Sequence, residues 1–221
     1  MKWEKVFEVI MEDNMDREYW NEFYKKGLAK KEPTLFAQYV SEKYLEKGKT
    51  VLELGCGNGR DSLYFAQKDL DVIAIDGADQ VIEKLKVENC NNKVKFIQDD
   101  FVTTNIYKKE KIDYVYSRFT LHAITEEQEN ILLKNVYNGL EAGGDFFIEV
   151  RSVKDDLYGK GENVGRNAYF YNNHYRRFLI INELEEKLQK TGFTILYSEE
   201  SKNFAPYKDQ NPYVIRMIAK K

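Results

Sequence analysis

Apolar and polar residues alternate in a regular way along the chain from about residue 50 onward. Short apolar runs, typical of buried strands, are separated by longer amphipathic segments that are typical of helices. The runs at 50–54, 71–75, 93–97 and 112–117 predict strands, and the segments at 61–68, 78–88 and 126–140 predict helices. Such an alternation indicates a parallel sheet with helices on both faces.

The C-terminal part of the chain departs from this pattern. A strand is predicted at 145–150 and a helix at 182–191, but no helix separates the last two apolar runs, at 193–200 and 213–221. Strands joined without a crossover helix pair antiparallel. We therefore expect an α/β three-layer sandwich whose mostly parallel seven-stranded sheet ends in an antiparallel β-hairpin.

Two further segments complete the predicted domain organisation. Apolar residues at helical spacing predict N-terminal helices within 1–47. Residues 151–178 are polar, rich in Tyr, Asn, Gly and Arg, and too long for an ordinary connection. We expect 1–221 to form a single domain in which 151–178 is a substrate-facing insertion that acts as a lid.

Composition and charge exclude several classes of protein. The net charge of −3, with both signs spread along the chain, argues against a nucleic-acid partner. No apolar run is long enough to cross a membrane, and the acidic start of the chain does not resemble a secretory signal. The two cysteines are too few for a disulfide framework or a cysteine-based zinc site, so we expect no metal. These observations predict a cytoplasmic protein.

The stretch "VLELGCGNGRDSLYFA", residues 51–66, combines a strand, a glycine-rich turn and the start of a helix. Backbone N–H groups converge at such a turn and bind anionic or polar ligand groups. Dinucleotides and S-adenosylmethionine (SAM) are both bound by this device. The dinucleotide pattern requires Gly or Ala at the position of Arg60, and Glu53 is unfavourable beside a pyrophosphate. Glu53 is better suited to a ligand that carries an ammonium group.

Acidic residues follow the next two predicted strands. Asp76 ends the second strand, where its two oxygens can accept hydrogen bonds from both hydroxyls of a ribose. Asp99 and Asp100 end the third strand, where a carboxylate can accept from an adenine amino group. Because the carboxyl ends of parallel strands share one sheet edge, these acids together outline one extended ligand.

Taken together, "ELGCGNG", "AID", "QDDF", "IDYVYSRFTLHAI" and "GLEAGG" make the chain resemble class I SAM-dependent methyltransferases, from about Tyr19 to the C-terminus. The resemblance implies a Rossmann-like fold and SAM as cofactor. It implies that the glycines lie near the methionine part of SAM, that Asp76 binds its ribose and that Asp100 with the Phe101 backbone binds its adenine. The implied cofactor residues are Tyr19, Trp20, Tyr24, Glu53, Gly55, Gly57, Gly59, Asp76, Asp100, Phe101 and Ser117.

Arginines concentrate where the acceptor is expected to bind. Five of the eight arginines, but only three lysines, fall between residues 118 and 177. Arginine binds carboxylate or phosphate with a planar, two-pronged group, so we expect a small anionic acceptor. Some of these arginines are also expected to pair with carboxylates of the insertion. The candidate acceptor-binding residues are Arg118, Arg151, Tyr171, His174, Arg176 and Arg177, and the candidate catalytic residues are His122, His174 and Arg118.

The strings "YSRFTLHAITEEQ", "EVRSVKDDLYGKGENVGR" and "HYRRF" also resemble methyltransferases of bacterial surface-polysaccharide biosynthesis. This narrower resemblance implies O-methylation in polysaccharide or capsule metabolism. Transfer to nitrogen, sulfur or another chalcogen stays open, as does a non-catalytic SAM-binding subunit; a nicotinamide-dependent oxidoreductase is disfavoured by Arg60. The N-terminal helices either pack on their own domain or bind a partner, so a homodimer is also left open.

Overall fold

The computed structural model describes residues 19–22 and 30–221. Its central feature is a seven-stranded sheet whose strand order is β3-β2-β1-β4-β5-β10-β9. Strands β1 to β5 are parallel, and β10 pairs antiparallel with both β5 and β9. The strands are β1 Thr50–Leu54, β2 Asp71–Asp76, β3 Val94–Gln98, β4 Ile112–Arg118, β5 Leu140–Arg151, β9 Thr194–Ser201 and β10 Val214–Lys220. The predicted mostly parallel sheet with an antiparallel end is confirmed.

Helices cover both faces of this sheet. They are α1 Leu35–Lys43, α2 Arg60–Gln67, α3 Asp79–Glu88, the short α4 Ile106–Lys109, α5 Glu126–Gly139 and α6 Ile181–Thr191. Alternate residues of β1 face opposite layers: Leu52 and Leu54 pack in the core beside α5 and α6, whereas Val51 packs with residues of α1, α2 and α3. This period of two, with both faces apolar, is what a parallel strand buried on both sides requires.

Helix starts follow the local sequence. The Thr34 side chain accepts a hydrogen bond from the Ala37 N–H at the start of α1. Thr125 and Gln128 form a reciprocal capping box at the start of α5. Each cap satisfies backbone N–H groups that have no partner within the helix, which is why these helices begin where they do. Among the described residues, no helix is both long enough and apolar enough to span a membrane.

The insertion forms its own small sheet, which the sequence pattern did not predict. Three short antiparallel strands, β6 Glu162–Gly165, β7 Ala168–Phe170 and β8 Tyr175–Arg177, follow one another within it. Every residue of β6 is exposed, so this strand shows no alternation of apolar and polar residues from which it could be predicted. The lid role of this insertion stays a prediction. Of the N-terminal helices predicted within 1–47, α1 and the helical segment 19–22 are described, and residues 1–18 and 23–29 lie outside the described part. The single-domain organisation stays a prediction.

A group of buried ion pairs fastens the insertion sheet to the main body. Arg177 of β8 donates to the Glu129 carboxylate of α5 and to the backbone oxygen of Ile124. Lys187 of α6 binds the other oxygen of Glu129 at 3.1 Å and Glu126 at 2.7 Å. Glu129 is only 1% exposed, so its charge is compensated almost entirely by these two cations.

We expect Glu129→Ala to destabilise the protein by about 3 kcal/mol, because it leaves the buried Arg177 guanidinium without its counter-ion. Urea denaturation measures this loss. The matched control is Glu126→Ala, which removes a carboxylate that is 43% exposed and should cost at most about 1 kcal/mol. Equal effects of the two substitutions would contradict the role assigned to Glu129.

Candidate functional site

A cavity of about 560 Å³ lies at the carboxyl edge of the parallel strands. Residues at or just beyond the ends of five successive strands reach its wall, as expected where parallel strands share an edge. These residues are Glu53 of β1, Asp76 of β2, Asp99 and Asp100 after β3, Arg118 of β4 and Arg151 of β5. The cavity thus lies at the sheet edge where the sequence predicts the ligand.

The glycine loop between β1 and α2 forms the floor of the cavity, with Gly55 and Gly57 on its wall. Gly55 and Gly59 have φ values of +68° and +73°, a region that residues with a Cβ rarely adopt. A Cβ on Gly55 would lie 2.5 Å from the Thr120 side chain, and one on Gly59 would lie 2.9 Å from Phe96. Backbone conformation and close packing both require glycine here. Gly59 supports the loop from beneath and is not part of the wall.

Asp76 joins this loop to the next one. Its carboxylate accepts from the N–H groups of Gly57 and Ala78, both at 2.8 Å. The remaining lone pairs of the two oxygens are available to a ligand. Desolvation raises the pKa of Asp76, and the backbone N–H groups of Ala78, Gly57 and Gly77 oppose this rise. The carboxylate thus fixes the shape of the loop while it forms part of the cavity wall.

Glu53 is a buried acid beneath the loop. It accepts a hydrogen bond from the Ser62 hydroxyl and is 4% exposed. Burial raises the pKa of Glu53 well above its usual range, and the negative charges of Asp61 and Asp76 raise it further. Arg60 offsets this effect only in part. The excess of acids favours a ligand group with a positive charge, and the cradle of glycine backbone favours close contact with that ligand.

The carboxylates after β3 are bound locally. Asp100 accepts from the Val102 N–H at 2.9 Å and from the Thr103 hydroxyl at 2.6 Å. Asp99 accepts from the Thr104 hydroxyl at 2.7 Å. Both acids and the neighbouring Phe101 lie on the cavity wall. This turn therefore presents a carboxylate and a ring to the same space.

Tyr19 and Trp20 belong to a described helical segment, residues 19–22, and line the cavity. The Tyr19 ring stacks on the His174 ring of the insertion at 4.7 Å, and Trp20 meets the same ring edge-on at 5.1 Å. This contact joins the segment to the insertion beside the cavity. The predicted cofactor residue Tyr24 lies outside the described residues.

The opposite side of the cavity is basic. Arg118, Arg151 and Arg176 line it, together with the ring of Phe119. The Arg118 Nε donates to Glu149 at 2.9 Å, and the Arg151 Nη1 donates to Asp155 at 2.8 Å. Arg118 and Glu149 are register partners on β4 and β5, so the parallel pairing itself brings them together.

Several predicted residues lie away from the cavity wall. Arg177 is committed to Glu129, so the prediction that it binds the acceptor is replaced by the structural role described above. Tyr171 lies in the turn between β7 and β8, where its backbone oxygen accepts from Arg176. The Ser117 hydroxyl is hydrogen-bonded to that of Thr120. None of these three is part of the described wall.

The two histidines are buried behind the wall. His122 and His174 are 3% and 1% exposed, and their rings meet edge-on at 6.2 Å. The Nδ1 atom of His122 is buried without a hydrogen-bond partner among the described residues. Desolvation, together with the charge of Arg151, lowers the pKa of His122 well below its usual range, so its ring is neutral at pH 7. Neither histidine reaches the cavity in this conformation.

The sequence pattern missed one wall of the cavity. The connection between β9 and β10 contributes Ala205, Tyr207, Gln210 and Pro212, and Lys30 adds a cation from the segment before α1. The Lys30 ammonium lies 5.7 Å from the centre of the Tyr207 ring. Pro206 and Pro212 were the only local signal, and they indicate an irregular loop without indicating what it faces.

Known proteins match this chain both in sequence and in fold. A model described as "Methyltransferase domain" matches residues 51–144, from β1 into the first residues of β5. The chain is 32% identical over 133 residues to phosphoethanolamine N-methyltransferase 3 of Arabidopsis thaliana, covering 59% of this chain and 26% of that protein. It is 26% identical over 125 residues to carboxy-S-adenosyl-L-methionine synthase of Vibrio vulnificus, covering 53% of this chain and 50% of that protein. The chain thus spans a quarter to a half of these relatives.

The structure also resembles a crystal structure of the 1,6-didemethyltoxoflavin-N1-methyltransferase of Burkholderia thailandensis with bound 1,6-didemethyltoxoflavin and S-adenosylhomocysteine (SAH). The TM-score is 0.69 at 20% identity, and the match covers 94% of this chain and 88% of the other. The strand order, the glycine loop after β1 and the residues that the model matches all indicate the same fold. Residues 51–144 therefore match a methyltransferase domain, and the chain has the Rossmann-like fold of SAM-dependent methyltransferases.

Proposed function

We propose that the protein transfers the methyl group of SAM to a small anionic acceptor. The observation that carries this proposal is the division of charge across the cavity. Glu53, Asp76 and Asp100 line the side formed by β1 to β3, and Arg118 and Arg151 line the side formed by β4 and β5. The sulfonium and ammonium groups of SAM suit the acidic side, and an anionic group of the acceptor suits the basic side.

The acidic side suits SAM in detail. Asp76 binds the ribose hydroxyls through lone pairs that the loop leaves available. Asp100 and Phe101 receive the adenine, and Glu53 faces the ammonium group above Gly55, Gly57 and Gly59. Tyr19 and Trp20 cover the ligand from the N-terminal side, and the Ser117 backbone oxygen is retained as a second acceptor for the ammonium. These roles are carried over from the family resemblance, and the geometry of the wall supports most of them.

Bound SAM supplies a methyl group on a positively charged sulfur. The chain itself has to align the acceptor with that methyl group and exclude water. The positive charge is dispersed as the acceptor attacks, so the acidic side does not need to donate a proton. The basic side holds the anionic part of the acceptor and thereby orients its nucleophilic atom.

The first relative supports an anionic acceptor, because its name specifies phosphoethanolamine, a phosphate-bearing amine. That relative methylates nitrogen, whereas the narrower sequence resemblance favours oxygen in polysaccharide or capsule metabolism. A hydroxyl acceptor must lose a proton, and neutral His122 is the base predicted from the sequence, although its ring does not line the cavity in this conformation. We retain O-methylation as the first choice and N- or S-methylation as alternatives.

A second function is favoured by the Vibrio vulnificus relative, carboxy-S-adenosyl-L-methionine synthase. An enzyme that attaches a carboxyl group to SAM needs a carboxylate-bearing donor beside the cofactor. Arg118 and Arg151 would suit such a donor as well as they suit an anionic methyl acceptor. The two functions differ in their products.

Mass spectrometry of the cofactor distinguishes them. We expect incubation with SAM and a panel of phosphorylated and carboxylated metabolites to yield SAH and a methylated acceptor. Conversion of SAM to carboxylated SAM would instead establish the second function. Tight SAM binding without either product across the panel would favour a non-catalytic SAM-binding subunit.

Removing the Asp76 carboxylate should weaken SAM binding. Asp76→Ala leaves the ribose hydroxyls and the Gly57 N–H without their acceptor, and we expect a loss of about 1.5–3 kcal/mol in calorimetry. Asp71→Ala is the matched control, because Asp71 is an exposed acid at the opposite end of the same strand. Unchanged affinity in Asp76→Ala would contradict the ribose assignment.

SAM affinity should rise with pH through Glu53. The pKa of Glu53 is raised in the free protein, and a bound cation lowers it, so binding releases a proton and strengthens as the carboxyl ionises. The test is calorimetry between pH 5 and 7, below the titration of the ligand's own amino group at about 7.7–8.0. Glu53→Gln should abolish the slope and the proton release. A parent affinity independent of pH would overturn the placement of the ammonium beside Glu53.

A further inference from the structure

Arg118 and Arg151 form a pair around a single aromatic ring. The central guanidinium carbon of Arg118 lies 4.3 Å from the centre of the Phe119 ring, and that of Arg151 lies 5.5 Å from it. Both side chains are largely buried, at 17% and 12% exposure, and both line the cavity. Two cations are therefore held against the same platform at the same end of the cavity.

Each guanidinium is anchored from one side only. Glu149, whose side chain is fully buried, binds the Nε of Arg118, and Asp155, whose side chain is 1% exposed, binds the Nη1 of Arg151. The Arg118 terminal nitrogens have no hydrogen-bond partner among the described residues, and neither do the Arg151 Nε and Nη2. A guanidinium has five N–H donors, so most of the donors of both groups remain for a ligand.

The anchors are themselves fixed in place. The second oxygen of Glu149 accepts from the Arg216 Nη2 at 2.7 Å, and the Arg216 guanidinium lies among the rings of Phe36, Tyr39 and Phe204. Asp155 also accepts from the Tyr213 N–H at 3.0 Å. Neither arginine can turn its donors away from the cavity without breaking a buried ion pair. The donor set is thus preorganised.

The platform is held in an unfavourable backbone conformation. Phe119 has a φ of +58°, which is uncommon for a residue with a side chain, and its N–H donates to the Glu149 backbone oxygen at 2.8 Å. Such strain persists where surrounding contacts enforce it, and it is concentrated at functional sites. It places the ring immediately after Arg118 and beneath both guanidinium groups.

The number of donors distinguishes between kinds of anion. A carboxylate has two oxygens and satisfies one planar guanidinium side-on. It would leave the second desolvated guanidinium of the pair poorly satisfied. A phosphoryl group offers three strongly accepting oxygens in a tetrahedral arrangement and can bind two guanidinium groups at once. Arg118 shares the Glu149 carboxylate with Arg216, and Arg151 pairs with Asp155 alone.

We propose that Arg118 and Arg151 form a subsite for a tetrahedral oxyanion, so that the acceptor carries a phosphoryl-type group and not a carboxylate. This inference rests on the proposed methyl transfer and narrows its acceptor class. Glu149 and Asp155 are positioning residues for this subsite, and Phe119 is its platform.

Calorimetry of the protein saturated with SAH tests the subsite with two dianions of different shape. Sulfate is tetrahedral, and malonate carries its two charges on planar carboxylates. We expect sulfate to bind at least about tenfold more tightly than malonate. Arg118→Lys and Arg151→Lys keep the positive charge but remove the planar guanidinium with its several donors. Each substitution should weaken sulfate binding about tenfold, while the affinity for SAH changes less than about twofold.

Arg166→Lys is the matched control, because Arg166 lies in the insertion, is 60% exposed and pairs with Glu183 outside the cavity. This substitution should change neither the affinity for sulfate nor the affinity for SAH. Malonate binding as tight as that of sulfate would overturn the tetrahedral subsite and leave the proposed function intact. Failure of both anions to bind, with SAH affinity normal, would remove the anionic acceptor as well. Failure of SAH to bind would refute the proposed function itself.

Discussion

The reversal of strand order beside β1 is the constraint on which the rest of the structure depends. From β1 the chain proceeds outward through β2 and β3, and it then returns to place β4 and β5 on the other side. The loops that leave β1 and β4 therefore diverge at the carboxyl edge and open a crevice between them. The glycine loop after β1 and the Phe119 turn after β4 face each other across this crevice, and a Cβ on Gly55 would lie only 2.5 Å from the Thr120 side chain.

The same reversal explains why the charges are segregated. Residues at the ends of β2 and β3 can reach only one side of the crevice, and residues at the ends of β4 and β5 can reach only the other. Acids occupy the first group and arginines the second. Burial and the neighbouring charges of Asp61 and Asp76 raise the pKa of Glu53, and Arg60 offsets this rise only in part. A buried carboxyl beside other acids is electrostatically unfavourable, and a cationic ligand group would relieve this.

The sequence was informative where a local pattern determines the structure. The strand at 50–54 is apolar on both faces, the glycine loop follows it, and Asp76 ends the next strand, so the sheet and its carboxyl edge could be predicted. The insertion sheet could not be predicted, because it is held by Arg177 and Glu129, which are far apart in sequence. The role of Glu149 was also hidden, since a single Glu within an apolar strand acquires its partners only through strand register. The loop carrying Tyr207 has no periodicity at all.

The concentration of arginine between residues 118 and 177 serves two purposes that sequence alone cannot separate. Arg166 and Arg177 fasten the insertion to α5 and α6, whereas Arg118 and Arg151 line the cavity. Both tasks use the same property of the guanidinium group. Its donors point in several fixed directions, so one edge can bind a buried carboxylate while another edge remains directed at a second acceptor. A lysine ammonium on a flexible stem would be drawn towards Glu149 or Asp155. The cavity requires a cation that is held in place and still able to bind, and this explains why arginine stands at the ends of β4 and β5.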